Sequence, residues 1–170
     1  MSLSIVIPAK NEGGAIGTVV SKAREQYADA EIIVVDDGSS DDTAEVAAAA
    51  GATVVSHPES LGNGAAVKSG ARAASGDVIA FMDGDGQHDA ADLAPLLEQL
   101  DNGYEMAIGA RNTGSHASFG RLFANGLYNG IASMMSGRKI LDLTSGFRAA
   151  RAEKFKQFLY LLPNGFSYPT

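Results

Sequence analysis

The chain contains no cysteine among its 170 residues, which excludes disulfides, thiolate catalysis and cysteine-ligated zinc. It also lacks any apolar run of about 18–20 residues, so the sequence predicts no helix that spans a bilayer. A basic surplus is missing too. The net charge is −7, which argues against general nucleic-acid binding because phosphates would not be neutralised. The absence of cysteine fits a reducing compartment, and we expect a cytoplasmic location.

Glycine, in contrast, is abundant, with 20 residues, and hydrophobic residues at 45% are enough for a sizeable core. Over the first hundred residues, short apolar or β-branched runs alternate with helical stripes of apolar side chains. These runs are 3–7, 31–35, 53–55, 78–82 and 105–108. The pattern predicts an α/β fold, with a mostly parallel, Rossmann-like sheet flanked by helices on both faces.

Polar clusters follow three of the predicted strands. They are "PAKNEGG" after the first strand, "DDGSSDDT" after the second and "DGDGQHD" after the fourth. Open parallel sheets bind their ligands at the carboxyl ends of the strands. The sequence therefore predicts that the three clusters meet at one edge of the sheet and form a ligand site.

The cluster "VVDDGSSDDT" is open to two interpretations. In the first it is a capped turn, in which Asp41 or Asp42 caps a helix that begins near Thr43. In the second, an acid at the strand tip accepts a hydrogen bond from a nucleobase N–H or a ribose hydroxyl. One acid suffices for the cap, so the remaining pair, Asp36 and Asp37, favours ligand binding.

The cluster "DGDGQHD" places Asp83 and Asp85 one residue apart behind a strand. In an extended chain both carboxylates face the same side and repel each other. A divalent cation removes this repulsion, since Mg²⁺ and Mn²⁺ prefer oxygen ligands and bridge to diphosphates. His88 is open to a structural role or to a place beside the metal or a phosphate.

Three alternatives compete with this metal-site interpretation. An EF-hand loop needs glycine and glutamate where His88 and Ala94 stand. A haloacid-dehalogenase-type phosphatase needs Thr or Val at the position of Gln87. A plain acidic turn explains the acids, but it does not explain the glycines and Gln87 together.

The segment "LGNGAAVKSG" resembles a phosphate loop, but alanines follow Gly64 where a Walker motif has Lys-Ser. We interpret it as a glycine turn that opens a helix packed tightly on the sheet. Lys68 either reaches the ligand or is solvated.

Taken in order, these segments resemble the family-two glycosyltransferases of the GT-A fold. The similarity is greatest to the branch of dolichyl- and polyprenyl-phosphate mannosyl- and glucosyltransferases. It covers nearly the whole chain and rests on "IVIPAKNE", "VVDDGSSDDT", "LGNGAAVKSG", "DGDGQHD", "GAR", "GRLFANGLYN" and "DLTSGFRA". Relatives often carry Tyr where Lys10 stands, so the contacts with the nucleobase are expected to differ here.

The resemblance implies a role for each residue that matches the family's motifs. The metal ligands for Mg²⁺ or Mn²⁺ are then Asp83, Asp85 and Gln87. The expected catalytic residues are Asp142, Asp85 and Arg111, with Asp142 as the base or as the acid that orients the acceptor. Glu12 is expected near the ribose, and Asp37 with Asp36 at the base. The expected substrate-binding residues are Pro8, Ala9, Asn11, Glu12, Asp36, Asp37, Lys68, Asp83, Gly84, Arg121 and Arg148.

The function implied is an inverting, metal-dependent transfer of a hexose from a UDP- or GDP-sugar to a polyprenyl phosphate. The alternatives are transfer to a soluble hydroxyl acceptor, and a nucleotide-sugar-binding domain without turnover. We expect a single catalytic domain over residues 1–170, truncated at its C-terminus because the family continues beyond "SGFR". The tail "KFKQFLYLL" is interpreted as a packed terminal helix, with peripheral contact at the inner face of the plasma membrane as the alternative. The oligomeric state is left open.

Overall fold

The computed structural model of the protein describes residues 1–109 and 145–164. Across these two stretches the chain forms a six-stranded mixed sheet. The strands are β1 (Leu3–Ala9), β2 (Glu31–Asp36), β3 (Thr53–Ser56), β4 (Val78–Phe81), β5 (Met106–Ile108) and β6 (Arg148–Arg151). Their order across the sheet is β3-β2-β1-β4-β6-β5, and β1 to β4 run parallel. The predicted α/β class with a mostly parallel sheet is confirmed.

Helices connect the successive strands from β1 to β5, as the alternating pattern predicted, and one more helix follows β6. They are α1 (Gly13–Gln26), α2 (Thr43–Ala49), α3 (Asn63–Ala73), α4 (Leu93–Asp101) and α5 (Ala152–Gln157). Short 3₁₀ turns lie at Ala90–Asp92, before α4, and at Leu159–Leu161, after α5. No helix in the described ranges is long and apolar enough to cross a membrane.

The strands β1, β2 and β4 are buried on both faces, which explains why they are nearly continuous apolar runs. Side chains alternate between the two faces along a strand. On β1, Ile5 and Ile7 contact the cluster under α1, α2 and α4, whereas Val6 contacts the cluster under α3 and α5. Most of the apolar helix faces predicted from the sequence contribute side chains to these clusters. Examples are Leu93, Leu96 and Leu100 of α4.

Helix α3 packs very close to the sheet at Gly70, as the glycine-rich segment predicted. A Cβ atom added to Gly70 would lie only 2.3 Å from Cγ1 of Val6. The preceding Gly62 has a positive φ of 96°, a conformation that glycine adopts readily, and the helix begins at the next residue. The amino end of α3 is thereby placed beside the ends of β1 and β2.

The sequence did not predict strand β6. It inserts between β4 and β5 and runs antiparallel to both. Its residues "RAAR" are two alanines between arginines, and this composition has low β-propensity. The pairing with β4 and β5, rather than local preference, therefore determines this strand.

The tail after β6 is partly packed, in agreement with the favoured interpretation. Leu159 is buried, and Phe155 stacks at a tilt on Phe81, with ring centroids 4.8 Å apart. Phe158 and Tyr160 are exposed. One side of this segment thus completes the cluster under α3 and α5.

Candidate active site

A cleft of about 350 Å³ lies at the carboxyl ends of β1, β2 and β4. The three polar clusters meet there, as their positions after the strands predicted. Seven of the predicted site residues line it: Pro8, Ala9, Glu12, Asp37, Asp83, Gly84 and Asp85. The remaining walls come from Lys10 and from the amino end of α3 with the turn before it, through Ser60, Gly62, Asn63 and Ala66.

Hydrogen bonds join the loop after β1 to the loop after β2. Asn11 has a φ of 56°, the only positive φ among the non-glycine residues that the structure describes. Its backbone N–H donates to Ser39 Oγ at 2.9 Å, and its side-chain oxygen accepts from the Ser40 N–H at 2.8 Å. The Glu12 N–H donates to Thr43 Oγ1 at 2.8 Å. Asn11 therefore connects the two loops through hydrogen bonds. Its contact with a nucleotide stays a prediction.

The helix cap predicted after β2 is formed by Asp41. Its carboxylate accepts from the N–H and the hydroxyl of Thr43, and from the N–H of Gly13 at 3.1 Å. The hydrogen bond from the Thr43 hydroxyl is the largest of the effects that lower the pKa of Asp41. Asp42, the other candidate, makes no side-chain cap bond. The cap therefore involves neither Asp36 nor Asp37, and the binding of a ligand by these two acids stays a prediction.

Asp36 and Asp37 are both buried, and they differ in their partners. Asp36 accepts from the Ser39 N–H at 3.1 Å. Both oxygens of Asp37 accept two hydrogen bonds each, all from residues 57–62, which we name the wall segment. The donors are His57 Nδ1 and Ser60 Oγ at 2.7 Å, and the N–H groups of Leu61 and Gly62 at 2.9 Å.

These four donors determine the charge state of Asp37. Burial raises the pKa of the carboxyl, but the hydrogen bonds outweigh it and lower the pKa to about 2. Asp37 is therefore ionised at neutral pH. The contact between Asp37 and a base stays a prediction. In this geometry such a contact would share an oxygen that the wall segment already occupies.

His57 is a site residue that the sequence analysis missed. The register of the sheet pairs Asp36 with Ser56, so the next residues of β2 and β3, Asp37 and His57, leave the sheet side by side. If the sequence had shown that β3 lies beside β2, the proximity of Asp37 and His57 would have been predictable. The sequence pattern does not give the order of the strands.

Asp83 and Asp85 line the same cleft, beyond the end of β4. The Asp83 side chain is 47% exposed, and its Oδ2 lies 3.4 Å from His88 Nε2. Asp85 is exposed and accepts from the Gln87 N–H at 2.9 Å. The Gln87 side chain is exposed, and its role as a metal ligand stays a prediction.

This donor set fits Mg²⁺ or Mn²⁺ held together with a substrate. In the part of the chain that the structure describes, no three His, Asp or Glu side chains could hold an ion by themselves. Such ions commonly use one or two protein carboxylates and complete their shell with water and substrate phosphates. Asp83 and Asp85, which both line the cleft, supply that number of carboxylates.

Gly84, between the two acids, is buried against the end of β1. An added Cβ would lie 3.2 Å from Ala9 Cβ and 3.3 Å from the Pro8 oxygen. Glycine at this position lets the loop lie directly on the floor of the cleft. A larger residue would push Asp83 and Asp85 away from that floor.

The segment before β6 packs against the acidic loop, and this contact was not predicted. The Phe147 ring stacks on His88, with centroids 4.8 Å apart and planes at 15°. A Cβ on Gly146 would lie 3.0 Å from Asp83 Oδ1. His88 therefore lies between a carboxylate and an aromatic ring, and its side chain is 18% exposed. This favours a structural role for His88 beside the metal-site candidates.

Lys68 and Arg148 have protein partners outside the cleft lining. The Lys68 ammonium donates to the Leu162 carbonyl at 3.0 Å and to the Asn164 side chain. It thereby holds the tail against α3, a contact that neither sequence interpretation of Lys68 included. Arg148 is buried on β6 and donates to the Ser145 carbonyl. Ligand contacts of these two residues stay predictions.

The other predicted residues lie outside the described part of the chain. They are Arg111, Arg121 and Asp142. The catalytic roles of Arg111 and Asp142 and the substrate-binding role of Arg121 stay predictions.

Comparison with known proteins gives the class of protein that this fold and cleft belong to. The sequence profile of Glycosyl transferase family 2 matches residues 4–159. The chain therefore belongs to this family, and the resemblance inferred from its motifs is confirmed.

Curated relatives include glycosyltransferase AglJ of Haloferax volcanii, which is 32% identical over 99% of this chain and 56% of its own length. The dolichol-phosphate mannosyltransferase of Pyrococcus furiosus is 33% identical over 90% of this chain and 47% of its own length. The chain spans about half the length of most of these relatives.

Solved structures agree with the fold. Glucosyl-3-phosphoglycerate synthase from Mycobacterium tuberculosis, in complex with phosphoglyceric acid, superposes with a TM-score of 0.74 at 30% identity. The match covers 89% of this chain and 57% of that one. The same enzyme in complex with Mn²⁺, UDP-glucose and phosphoglyceric acid gives a TM-score of 0.72 at 28% identity, over 89% and 57% of the two chains. The fold of the described residues is thus of the GT-A type.

Proposed function

We propose that the chain transfers a hexose from a nucleoside diphosphate sugar to a polyprenyl phosphate, with inversion at the anomeric carbon. The observation that carries this proposal is the convergence of Glu12, Asp83 and Asp85 on one cleft at the carboxyl edge of a parallel sheet. Family membership supports the reaction class. The names of relatives support the acceptor, among them a dolichol-phosphate mannosyltransferase and a dolichyl-phosphate hexose transferase.

The nucleoside would lie between the loop after β1 and the wall segment. Glu12 lines this part of the cleft, and no side-chain hydrogen bond engages its carboxylate among residues 1–109 and 145–164. A carboxylate with open acceptor positions suits the two hydroxyls of a ribose. Ser60 and the N–H groups at the amino end of α3 border the opposite side.

The diphosphate would lie beside Asp83 and Asp85. A divalent cation bound there supplies positive charge for the two phosphates of the leaving group. The chain's own part is to hold the two carboxylates on the floor of the cleft, through the close approach of Gly84 to Ala9. The acceptor oxygen would form the new bond to the anomeric carbon as the bond to the diphosphate oxygen breaks.

The acceptor determines whether a base is needed. The oxygen of a lipid phosphate is already anionic and attacks without losing a proton. A hydroxyl acceptor must give up a proton, and Asp142 is the residue we propose to accept it.

Transfer to a soluble phosphorylated acceptor is the second candidate. It is favoured by the similarity to glucosyl-3-phosphoglycerate synthase, which was crystallised with UDP-glucose and phosphoglyceric acid. A nucleotide-sugar-binding protein without turnover is the third. The three candidates share the nucleotide cleft and differ in the fate of the bound donor sugar.

A thermal-shift screen of UDP- and GDP-sugars, with and without Mn²⁺ or Mg²⁺, tests the shared step. A ligand at one hundred times its Kd stabilises by about 2.7 kcal/mol. For a chain of 170 residues this raises the melting temperature by about 5–10 °C. We expect Asp85→Asn to abolish the metal-dependent part of this shift. Asp92→Asn is the matched control, since Asp92 is exposed and lies outside the cleft. Equal shifts in both variants would contradict the role of Asp85.

Product analysis with a radiolabelled donor sugar then separates the candidates. Label in an organic-soluble product with polyprenyl phosphate supports the proposal. Label in 3-phosphoglycerate or another soluble phosphate ester supports the second candidate instead. Metal-dependent binding of the donor without label in any acceptor favours the third.

A further inference from the structure

A chain of hydrogen bonds through His57 connects the end of β2 to helix α3. His57 Nδ1 lies 2.7 Å from Asp37 Oδ1, and His57 Nε2 lies 2.8 Å from Ser69 Oγ. The His57 side chain is 8% exposed and that of Asp37 is 7% exposed. The bond between His57 and Asp37 is therefore shielded from water, where a hydrogen bond to a charged group is strongest.

The roles of donor and acceptor along this chain follow from Asp37. An ionised carboxylate only accepts, so Nδ1 of His57 carries a proton. In the neutral ring Nε2 is then the acceptor, and the Ser69 hydroxyl donates to it. If the ring gains a second proton, the hydroxyl rotates and accepts instead. The connection is thus kept in either charge state of His57.

The order Ser–His–Asp also occurs in serine hydrolases, but the position of Ser69 argues against a nucleophile. Ser69 lies inside α3, whose backbone N–H groups are engaged with carbonyls one turn earlier. A hydrolase needs free N–H groups beside its nucleophile to stabilise the oxyanion. Within α3 the hydroxyl serves as a hydrogen-bonding end of the chain.

The connection ends on both sides at the walls of the cleft. The wall segment begins at His57, and its Ser60 and Gly62 line the cleft together with Asp37. Asn63 and Ala66 of α3 line the same side. The His57 ring is therefore the link that joins the strand end, the wall segment and the helix.

We propose that His57 is a positioning residue for the nucleotide cleft: through Asp37 and Ser69 it holds the wall segment and α3 at the spacing that a nucleoside requires. This inference rests on the proposed function for the identity of the ligand. The ring itself acts through Asp37 and Ser69 and does not touch the ligand.

Three variants separate the two bonds. His57→Ala removes both. His57→Asn keeps an amide N–H near the place of Nδ1, so it can donate to Asp37 but cannot reach Ser69. Ser69→Ala removes only the second bond. Val46→Ala is the stability control, since Val46 is half-buried in α2 and lies outside the cleft.

The first measurement needs no ligand. The Leu61 and Gly62 N–H groups donate to Asp37, so their hydrogen exchange reports whether the wall segment is held. We expect exchange about tenfold faster in His57→Ala, close to wild type in His57→Asn, and unchanged in Val46→Ala. Unchanged exchange in His57→Ala would overturn the inference.

The second measurement is titration with UDP and GDP in the presence of Mn²⁺, together with donor kinetics. His57→Ala is expected to raise Kd and KM about tenfold, because the loss of one hydrogen bond to a charged group has an effect of about this size. The value of kcat is expected to stay within about twofold of wild type. His57→Asn is expected to restore Kd to within about threefold. A folded His57→Asn that binds as weakly as His57→Ala, while Ser69→Ala binds as tightly as wild type, would overturn the positioning role.

The two measurements separate the inference from the proposed function. If wild type binds no nucleoside diphosphate while the two amides respond as expected, the positioning of the wall segment stands and the proposed function fails. If wild type binds and His57→Ala binds equally well, the inference fails and the proposed function stands.

Discussion

The packing of α3 on the sheet can be tested at Gly70, where helix and strands are in closest contact. Replacing Gly70 with alanine adds one methyl group that faces Val6 and Val35. The new Cβ would lie 2.3 Å from Val6 Cγ1 and 3.1 Å from Val35 Cγ2. Both valines are fully buried, at 0% exposure.

Two opposing effects determine the size of the change. Alanine favours a helix over glycine by about 1 kcal/mol. Carbon atoms in contact normally lie about 3.5–4.0 Å apart, so α3 has to move by about 1 Å, and overpacking of this kind costs about 1–3 kcal/mol. We expect the cost to lie at the upper end because the partners are buried. The net destabilisation is then about 1–2 kcal/mol, and the melting temperature falls by about 2–8 °C.

Urea unfolding and thermal melting measure this change, and Gly14→Ala is the matched control. Gly14 lies in α1, is exposed, and has no atom within 4 Å of an added Cβ. It should lose no stability. Gly70→Ala should also weaken nucleotide binding, because Asn63 and Ala66 of α3 line the cleft. Equal stability of the two variants would refute the packing argument.

Further predictions concern single contacts of the site. The pKa of Asp37 is about 2 when folded and near 3.8 when unfolded, so its stabilising contribution is present above about pH 4 and lost as pH falls through 2. In urea titrations Asp37→Asn should therefore lose less stability than wild type between pH 5 and 2; parallel curves would contradict this. Gly84→Ala should raise the Kd for nucleotide with Mn²⁺, because its Cβ presses on Ala9, and unchanged calorimetric titrations would argue against the tight floor. Lys68→Met should speed proteolysis of the tail near Leu162, whose carbonyl it binds; equal cleavage rates would count against that contact.

The strands β1, β2 and β4 were predictable because both of their faces are buried. Burial on both sides requires nearly continuous apolar runs, and a run such as 31–35 is distinct from the polar turns around it. β6 has no such signal. Its Ala149 and Ala150 are strand residues because β4 and β5 offer open edges on either side. Such a strand is determined by pairing with strands distant in the sequence. The pattern of a single sequence does not show which strands pair.

The location of the site was predictable for a similar reason. Parallel strands end at one edge, so the polar residues after each strand must meet there. The hydrogen-bond donor that each acid binds was not predictable. Asp37 bonds to His57, 20 residues away, and this choice depends on the strand order and on the path of the wall segment. Asp41 bonds across to Gly13 for the same reason.

The division of the acids explains how a chain with a net charge of −7 can concentrate carboxylates at one edge. Asp37 and Asp41 accept several hydrogen bonds each from N–H and hydroxyl groups, so their charge is compensated by the fold itself. Glu12, Asp83 and Asp85 line the cleft, and the fold provides them with fewer donors. If a divalent cation binds at Asp83 and Asp85, as we propose, it offsets the repulsion between the two carboxylates. Binding at this edge should therefore weaken when the cleft acids are neutralised, whereas neutralising Asp37 or Asp41 should first loosen the loops.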